Sequence, residues 1–189
     1  MGAPQPIRTL SVDQYLAVER DADVRHEYVE GELFAMAGAS RAHNLLTLNV
    51  AAALLAHLRG GPCRVMSSDM KVRVEALDRF YYPDVVVACN PVSEEPDEHV
   101  ETHPVLLVEV LSDTTEAIDR REKRFAYQTL PSLREYLLVE QTHRSLELYR
   151  RDGPSWTRMT YGADERVALA SIGLETAVAD LYLGTGVRA

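Results

Sequence analysis

The hydrophobic pattern of the chain alternates between strand-like and helix-like segments. Runs rich in β-branched residues predict strands, whereas apolar positions that recur every three or four residues predict helices. The predicted strands are 64–66, 70–75, 82–88, 105–111, 135–140, 145–150 and 156–161. The predicted helices are 11–20, 43–59 and 115–130. This order predicts a mixed α/β fold around a central sheet, formed by a single domain over residues 10–189.

Turn and cap residues set several of these boundaries. Ser11 and Ser40 are predicted to cap the first two helices, because a serine side chain can accept a hydrogen bond from the first helical turn. Glu30 and Gly31 separate two short apolar runs, which predicts an N-terminal hairpin over 26–37.

The two ends of the chain are predicted to differ. Residues 1–9 contain two prolines and no apolar core, so we expect a flexible tail. Near the other end, Asp152 and Gly153 form a turn signal between two strand-like runs, which predicts C-terminal antiparallel strands. The helix over 43–59 has apolar residues around nearly its whole circumference, and it is predicted to be packed on more than one side.

Composition and cysteine count limit the class of protein. The 189 residues are 46% hydrophobic, and no apolar run is long enough to span a bilayer. The absence of an export signal predicts a cytoplasmic protein without a membrane partner. Cys63 and Cys89 are too few for a disulfide framework and lack metal-ligand spacing, so they are predicted to be two buried, reduced thiols.

The net charge bears on the choice of partner. A formal charge of −9 argues against a nucleic-acid substrate, because phosphate binding relies on Lys and Arg. The basic residues, however, cluster in Arg120, Arg121, Lys123 and Arg124, and a cation bound in an acidic cleft would neutralise part of the charge. The charge therefore weakens a DNA-binding function without excluding it.

Two aliphatic, β-branched runs each have one carboxylate set among apolar residues. Asp84 lies in the run Tyr82-Pro83-Asp84-Val85-Val86-Val87-Ala88, and Glu109 lies in Leu106-Leu107-Val108-Glu109-Val110-Leu111-Ser112. Such apolar runs are typical of strands buried on both faces, where an unpaired carboxylate is costly. We therefore expect Asp84 and Glu109 to converge on a metal ion or a catalytic proton. The alternative for Asp84 is a structural carboxylate at the start of a strand, paired with a helix or an arginine.

The helix predicted over 115–130 supplies further candidates. Asp119 and Lys123 fall inside its apolar arc, and an inward lysine is unexpected if the helix serves packing alone. The alternative is an i,i+4 ion pair at the surface, with the lysine stem lying along the helix and its ammonium in water.

A family pattern runs through most of residues 11–150. Its segments are 26–32, His43, 82–87, 109–112 with Thr115, Asp119 with Lys123, and 132–136. In this combination the chain resembles the Uma family of bacterial endonucleases, within the PD-(D/E)XK restriction-endonuclease-like superfamily. The resemblance implies a nuclease fold with a four-stranded mixed sheet flanked by helices.

The same resemblance implies a chemistry. Asp84 and Glu109 would hold Mg²⁺ or Mn²⁺, and the cation would activate a water that hydrolyses a phosphodiester bond of DNA. The superfamily pattern places a lysine two residues after the glutamate, where this chain has Leu111. Lys123 is the expected replacement, orienting the attacking water or neutralising the transition state.

Secondary candidates flank these residues. Glu30 or Glu32 would add a third carboxylate, unless both belong to a solvated turn. His43 would face the site from the start of the long helix, unless it is a structural, hydrogen-bonded histidine. Asp119 is a further candidate site residue, on the same predicted helix as Lys123.

Two functions from different classes remain open at this point. The first is a Mg²⁺-dependent DNA endonuclease, favoured by Asp84, Glu109 and an inward Lys123 in one chain. The second is a catalytically silent module derived from a nuclease, which binds nucleic acid or a protein partner. The acidic charge and the missing lysine after Glu109 favour the second.

A homodimer is predicted from the aromatic residues of the C-terminal half. These residues exceed what one small sheet is expected to need, and they are Tyr136, Tyr149, Trp156, Tyr161 and Tyr182. Two-fold pairing would also place two cutting sites near opposite strands of a duplex. The alternative is that the aromatic residues close a C-terminal subdomain within one protomer.

Overall fold

The helices of the computed structural model follow the predicted order. The structure describes residues 9–36, 38–92, 97–112 and 115–189, so the predicted tail lies outside the described residues apart from Thr9. The described helices are α1 (Val12–Arg20), α2 (Arg41–Leu58), α3 (Glu116–Ile118), α4 (Arg124–Gln128) and α5 (Val178–Leu181). A π-helical turn (Asp119–Lys123) joins α3 to α4, and we call the continuous segment 116–128 the site helix.

The predicted helix caps are confirmed. The Ser11 side chain accepts a hydrogen bond from the Gln14 backbone, and the Gln14 side chain accepts one from the Ser11 backbone, which completes a capping box on α1. The Ser40 side chain accepts from the backbone of His43 at the start of α2. This cap fixes His43 in the first turn of α2.

The described strands form three sheets. The strands are β1 (His26–Val29), β2 (Glu32–Ala35), β3 (Arg64–Ser67), β4 (Lys71–Val74), β5 (Arg79–Tyr81), β6 (Val85–Ala88), β7 (Val100–Glu101), β8 (Pro104–Val110), β9 (Glu135–Val139), β10 (Ser145–Asp152), β11 (Ser155–Gly162), β12 (Arg166–Leu169) and β13 (Leu174–Ala177). The central sheet has the order β11-β10-β9-β8-β6-β3, and the N-terminal sheet has the order β2-β1-β5-β4-β7. Strands β12 and β13 form a separate hairpin.

The mixed α/β class is confirmed, with a larger sheet than the resemblance implied. In the described part of the chain, the central sheet has six strands instead of four. Strands β8 and β9 are parallel, and the site helix is part of the crossover that connects them. The C-terminal strands β10 and β11 pair antiparallel, as predicted.

The N-terminal hairpin is confirmed, and its turn explains the pairing. Glu30 and Gly31 both adopt positive φ, 51° and 99°, the backbone of the tight turn that matches the twist of two paired strands. Strands β1 and β2 pair on either side of this turn, with Glu27 opposite Phe34.

The prediction of one strand over 82–88 is wrong in its first half. Strand β5 ends at Tyr81 in the N-terminal sheet, and β6 begins at Val85 in the central sheet. The three residues between them carry the chain from one sheet to the other. Pro83 has no N–H to donate to a strand ladder, which accounts for the break at this position.

The central sheet is covered on both faces. Helix α2 packs on one face, and the site helix and the N-terminal sheet pack on the other. Leu46 and Leu54 of α2 are buried in the first of these layers. Helix α2 also contacts α5, so it packs against more than one element, while Leu48 and Leu55 remain 60% and 51% exposed on its solvent side.

The two cysteines form a disulfide between Cys63 and Cys89. Strands β3 and β6 pair with Arg64 opposite Ala88, and continuing this register by one residue places Cys63 opposite Cys89. The prediction of two separate thiols is therefore wrong, because the strand register brings the two side chains together.

Among the described residues, no helix combines the length and apolar character needed to cross a membrane.

Candidate active site

Asp84 directly precedes β6, and Glu109 lies in the neighbouring strand β8 of the central sheet. Strands β6 and β8 pair antiparallel with Val85 opposite Val108, so the next position along the ladder sets Asp84 opposite Glu109. Residues opposite each other across two strands project from the same face of a sheet. Glu109 lies under the site helix, whereas Asp84, directly before β6, also reaches His43 of α2.

Asp84 is anchored to both the sheet and α2. Its Oδ2 accepts a hydrogen bond from the backbone N of Val110 at 2.7 Å. The same oxygen lies 3.3 Å from Nε2 of His43. The structure therefore places His43, a secondary candidate, in direct contact with Asp84.

Glu109 is buried under the site helix. The residue is only 4% exposed, and its Oε1 accepts hydrogen bonds from Nζ of Lys123 at 3.2 Å and from the hydroxyl of Tyr127 at 3.0 Å. Two donors on one oxygen fix the orientation of the carboxylate.

Lys123 projects inward from the π-helical turn and is 5% exposed. Besides Glu109, its Nζ lies 2.7 Å from Oε1 of Glu27 and 3.3 Å from Oδ1 of Asp119. The alternative of a surface lysine with its ammonium in water is wrong, because the ammonium is enclosed by carboxylates. We call the group Glu27, Asp84, Glu109, Asp119 and Lys123 the carboxylate site.

Glu27 is the member of this group that the sequence did not predict. The third carboxylate was expected from Glu30 or Glu32, but Glu30 pairs with Arg79 at 2.6 Å and Glu32 is exposed on β2. Glu27 lies inside β1, next to buried Tyr28 in the sequence. Strand alternation around Tyr28 was the available signal, but it does not show that the opposite face of β1 is covered by the site helix.

The carboxylate site contains more acidic than basic side chains, and this excess contributes to a raised pKa of Glu109. Burial raises the pKa of the Glu109 carboxyl well above its usual range. Lys123 acts in the opposite direction, while Asp119 and Asp84 raise that pKa further. One ammonium does not offset the effects of burial and of the neighbouring carboxylates, so the net pKa of Glu109 is raised.

The two cationic residues respond to the same excess of negative charge. Burial disfavours the charge on Lys123, but the carboxylates around it raise its pKa well above the usual value. Burial also lowers the pKa of His43, and the hydrogen bond and charge of Asp84 outweigh this effect, so the net pKa of His43 is raised.

The substitution Glu109→Gln should remove a pH dependence of stability. The pKa of Glu109 is raised in the folded protein, so this group contributes stability that is fully present below its unfolded pKa of about 4.3 and is lost as the pH rises through the folded pKa. A glutamine at this position cannot ionise, but its amide oxygen can still accept from Lys123 and Tyr127. The free energy of unfolding is measured in urea from about pH 5 to about pH 9. As the pH rises, the variant should therefore become more stable relative to the wild type.

The matched control for this experiment is Glu32→Gln, at an exposed position on β2. Its difference from the wild type over the same pH range gives the reference for replacing an exposed glutamate. If Glu109→Gln followed the same profile as this control, the raised pKa of Glu109 would be contradicted.

The donor set suits a hard divalent cation. Carboxylate oxygens are the ligands that Mg²⁺ and Mn²⁺ prefer, and Asp84 and Glu109 supply them from facing positions of two neighbouring chain segments. Oδ1 of Asp119 is buried, and among the described residues it finds no partner with hydrogen-bond geometry, although Lys123 lies within ion-pair distance. A cation would satisfy such an oxygen.

The described residues include no ready-made cage for a metal. Within them, no group of three or more His, Cys, Asp or Glu side chains is arranged to hold a metal ion. Mg²⁺ does not require such a group, because it is usually bound through one or two carboxylates and keeps several of its waters. The residues therefore fit a magnesium site completed by water and phosphate oxygens.

The expected basic cluster does not form a surface patch. Arg120 donates to Glu116 and to Glu147, both at 2.7 Å, and Arg124 lies over the ring of Tyr149. Lys123 is buried in the carboxylate site. Arg121 alone of this cluster is exposed without a described ion pair.

Comparison with known proteins places this chain within a family. The model of the Uma2 family, described as "Putative restriction endonuclease", matches residues 12–179. An uncharacterized protein from Synechocystis sp. (strain ATCC 27184 / PCC 6803 / Kazusa) is 37% identical over 180 residues, covering 95% of this chain and 94% of its own length. A second uncharacterized protein from the same strain is 33% identical over 147 residues, covering 77% of this chain and 83% of its own length.

A solved structure shares the fold. The crystal structure of a protein described as a putative nuclease of the DUF820 group, from Anabaena variabilis ATCC 29413, aligns with a TM-score of 0.76 at 15% sequence identity. The alignment covers 92% of this chain and 97% of that chain.

Proposed function

The chain belongs to the Uma2 family of restriction-endonuclease-like proteins, and from this premise we propose that it is a divalent-metal-dependent endonuclease that hydrolyses phosphodiester bonds of DNA. One observation carries the proposal. A buried lysine, Lys123, contacts a buried glutamate, Glu109, beside an aspartate that faces Glu109 across two strands. Groups that serve packing alone gain nothing from this arrangement, because burying charge is costly.

We propose Asp84 and Glu109 as the ligands of Mg²⁺ or Mn²⁺. When bound, the cation would lower the pKa of a coordinated water and stabilise charge on the phosphate oxygens. Asp84 is held for this task by the N–H of Val110 and by His43. Glu109 is held by Tyr127, and it must be ionised to act as a ligand.

Lys123 would act on the phosphate or on the attacking water. Its ammonium is enclosed on the protein side by Glu27, Glu109 and Asp119, which keep it charged and fix its position. A preorganised charge in a largely dry site stabilises developing negative charge better than the same group in water. Lys123 thus replaces the lysine that the superfamily pattern places at Leu111.

Cleavage of plasmid DNA tests the proposal directly. Supercoiled plasmid and a single-stranded circle are incubated with the protein in Mg²⁺, in Mn²⁺ and in EDTA, while the melting temperature is followed against metal concentration. We expect nicking only with metal, together with a rise in melting temperature, because a ligand that binds the folded state alone stabilises it. No cleavage and no thermal shift with either metal would contradict the proposal.

The competing function is a silent module that binds nucleic acid or a protein partner. It is favoured by the ion pairs of Lys123, which already has carboxylate partners without a substrate, and by the net charge of −9. A thermal shift with metal but no cleavage of any DNA would support this alternative.

Homodimer formation remains a prediction from the sequence. The structure weakens the argument for a dimer, because Tyr136, Tyr149 and Tyr182 are buried within one protomer. Sedimentation at micromolar concentration measures the state. Twice the chain mass of 21.1 kDa is the predicted result, whereas a mass of one chain would contradict it and exclude a concerted cut of both strands by one assembly.

A further inference from the structure

An exposed aromatic ring stands at the rim of the carboxylate site. Phe34 on β2 lies opposite Glu27 on β1, and Oε1 of Glu27 is 2.7 Å from Nζ of Lys123. Opposite residues of an antiparallel pair share one sheet face, with Cβ atoms about 4.5–5.5 Å apart. The ring of Phe34 is therefore one residue removed from the ammonium of Lys123, on the same face.

The outer side of this ring is accessible. Phe34 is 49% exposed, and β2 is an edge strand of the N-terminal sheet as the structure describes it. The tight turn at Glu30 and Gly31 holds the backbone of Phe34 within the hairpin. A flat apolar surface on a rigid strand is well suited to stacking against another planar group.

Two arginines near the carboxylate site are already in ion pairs, which limits their contacts with the phosphates of DNA. Arg79 pairs with Glu30 at 2.6 Å and with Glu122 at 3.5 Å, and Arg120 pairs with Glu116 and Glu147. Duplex DNA is bound mainly through phosphate contacts by free Lys and Arg. In a protein of net charge −9, with Arg79 and Arg120 already paired, Arg121 is the one arginine of the site helix that is exposed without a described ion pair, so this source of affinity is weak.

We infer that Phe34 stacks on a base of an unpaired strand, so that the substrate of this site is single-stranded or locally unwound DNA instead of intact duplex. The inference rests on the proposed nuclease function and adds its substrate class. Bases of an unpaired strand expose their faces to an aromatic side chain, whereas those of a duplex are stacked on each other. Stacking also compensates for the weak phosphate contacts, because it does not depend on charge.

Binding without cleavage tests this inference. Fluorescence anisotropy is measured in EDTA with a labelled oligonucleotide, single-stranded or annealed to its complement. We expect the single strand to bind more tightly, with a shallow dependence on salt because few phosphates are neutralised. Phe34→Ala should weaken single-strand binding roughly five-fold to a hundred-fold, and Phe34→Trp should retain it.

Phe125 provides the matched control. It is 63% exposed on the solvent side of the site helix, so Phe125→Ala removes an exposed ring of the same type outside the carboxylate site. Single-strand affinity should be unchanged in this variant. Equal loss in both alanine variants would show a nonspecific effect and overturn the inference.

Cleavage assays on the same preparations test the nuclease function and the assigned substrate class separately. Metal-dependent cutting of duplex DNA with full affinity in Phe34→Ala would overturn the substrate assignment and leave the nuclease function standing. A wild type that neither binds nor cuts either form of DNA would overturn the nuclease function, and the role of Phe34 with it.

Discussion

Replacing Lys123 with alanine is expected to lower the free energy of unfolding by about 3–5 kcal/mol, because removing one partner of a buried ion pair leaves the others without compensation. Lys123 is the cation shared by Glu27, Glu109 and Asp119, and it is 5% exposed. For a chain of this length the loss corresponds to a fall in melting temperature of roughly 6–20 °C. Calorimetry or thermal unfolding followed by circular dichroism measures it.

Neighbouring substitutions separate charge from packing in this experiment. Lys123→Met keeps most of the side-chain volume, so it should be nearly as destabilising as the alanine variant if charge dominates. Arg124→Ala, at the next residue, removes a cation that stacks on Tyr149, and it should cost about 1 kcal/mol or less. A Lys123→Met protein as stable as the wild type would contradict the electrostatic account.

A second substitution should partly rescue the first. In the double variant of Lys123→Ala with Glu109→Gln, one of the uncompensated charges is removed along with the ammonium. The two changes should therefore be non-additive, since the residues are in contact. Additive losses would indicate that Glu109 is already neutral in the folded protein under the conditions used.

Asp84→Asn is expected to reduce metal-dependent cleavage at least about a thousand-fold, since a bound cation supplies several kcal/mol of transition-state stabilisation. The variant should also lose the rise in melting temperature with Mg²⁺. The amide oxygen of asparagine can still accept from the N–H of Val110, so the fold around β6 and β8 should persist. Plasmid nicking rates and thermal shifts, measured side by side, check both expectations.

Asp180→Asn makes the same chemical change at an exposed position of α5 and should leave both readouts unchanged. An Asp84→Asn protein that keeps its thermal response to Mg²⁺ would show that the cation binds elsewhere. One that loses the thermal response but still cuts would show that the cleavage does not depend on this site.

The sequence predicted most accurately the features that depend on residues close together in the chain. The caps at Ser11 and Ser40 and the turn at Glu30 and Gly31 depend on a few adjacent residues, and the structure confirms them. The mixed α/β class followed from the order of the apolar runs. The first half of the segment 82–88 was misassigned because it is continuous in sequence with the apolar run of β6, whereas residues 82–84 link a strand of one sheet to a strand of the other.

What the sequence could not predict depends on contacts between distant segments. Glu27 and Lys123 are far apart in the chain, and their contact requires the N-terminal sheet to pack under the site helix. The disulfide between Cys63 and Cys89 depends on the register of β3 against β6. The arginines of the site helix looked like a phosphate-binding patch because their partners, such as Glu147, lie on a different element.

The link between the two sheets limits how this protein can evolve. Tyr82, Pro83 and Asp84 are the only residues between β5 and β6, so the chain has no slack there. Inserting one residue after Tyr82 would displace Asp84 by about 3.3 Å along the strand or turn its side chain to the other face, away from Glu109. Natural selection for an intact carboxylate site would therefore hold this connection at three residues.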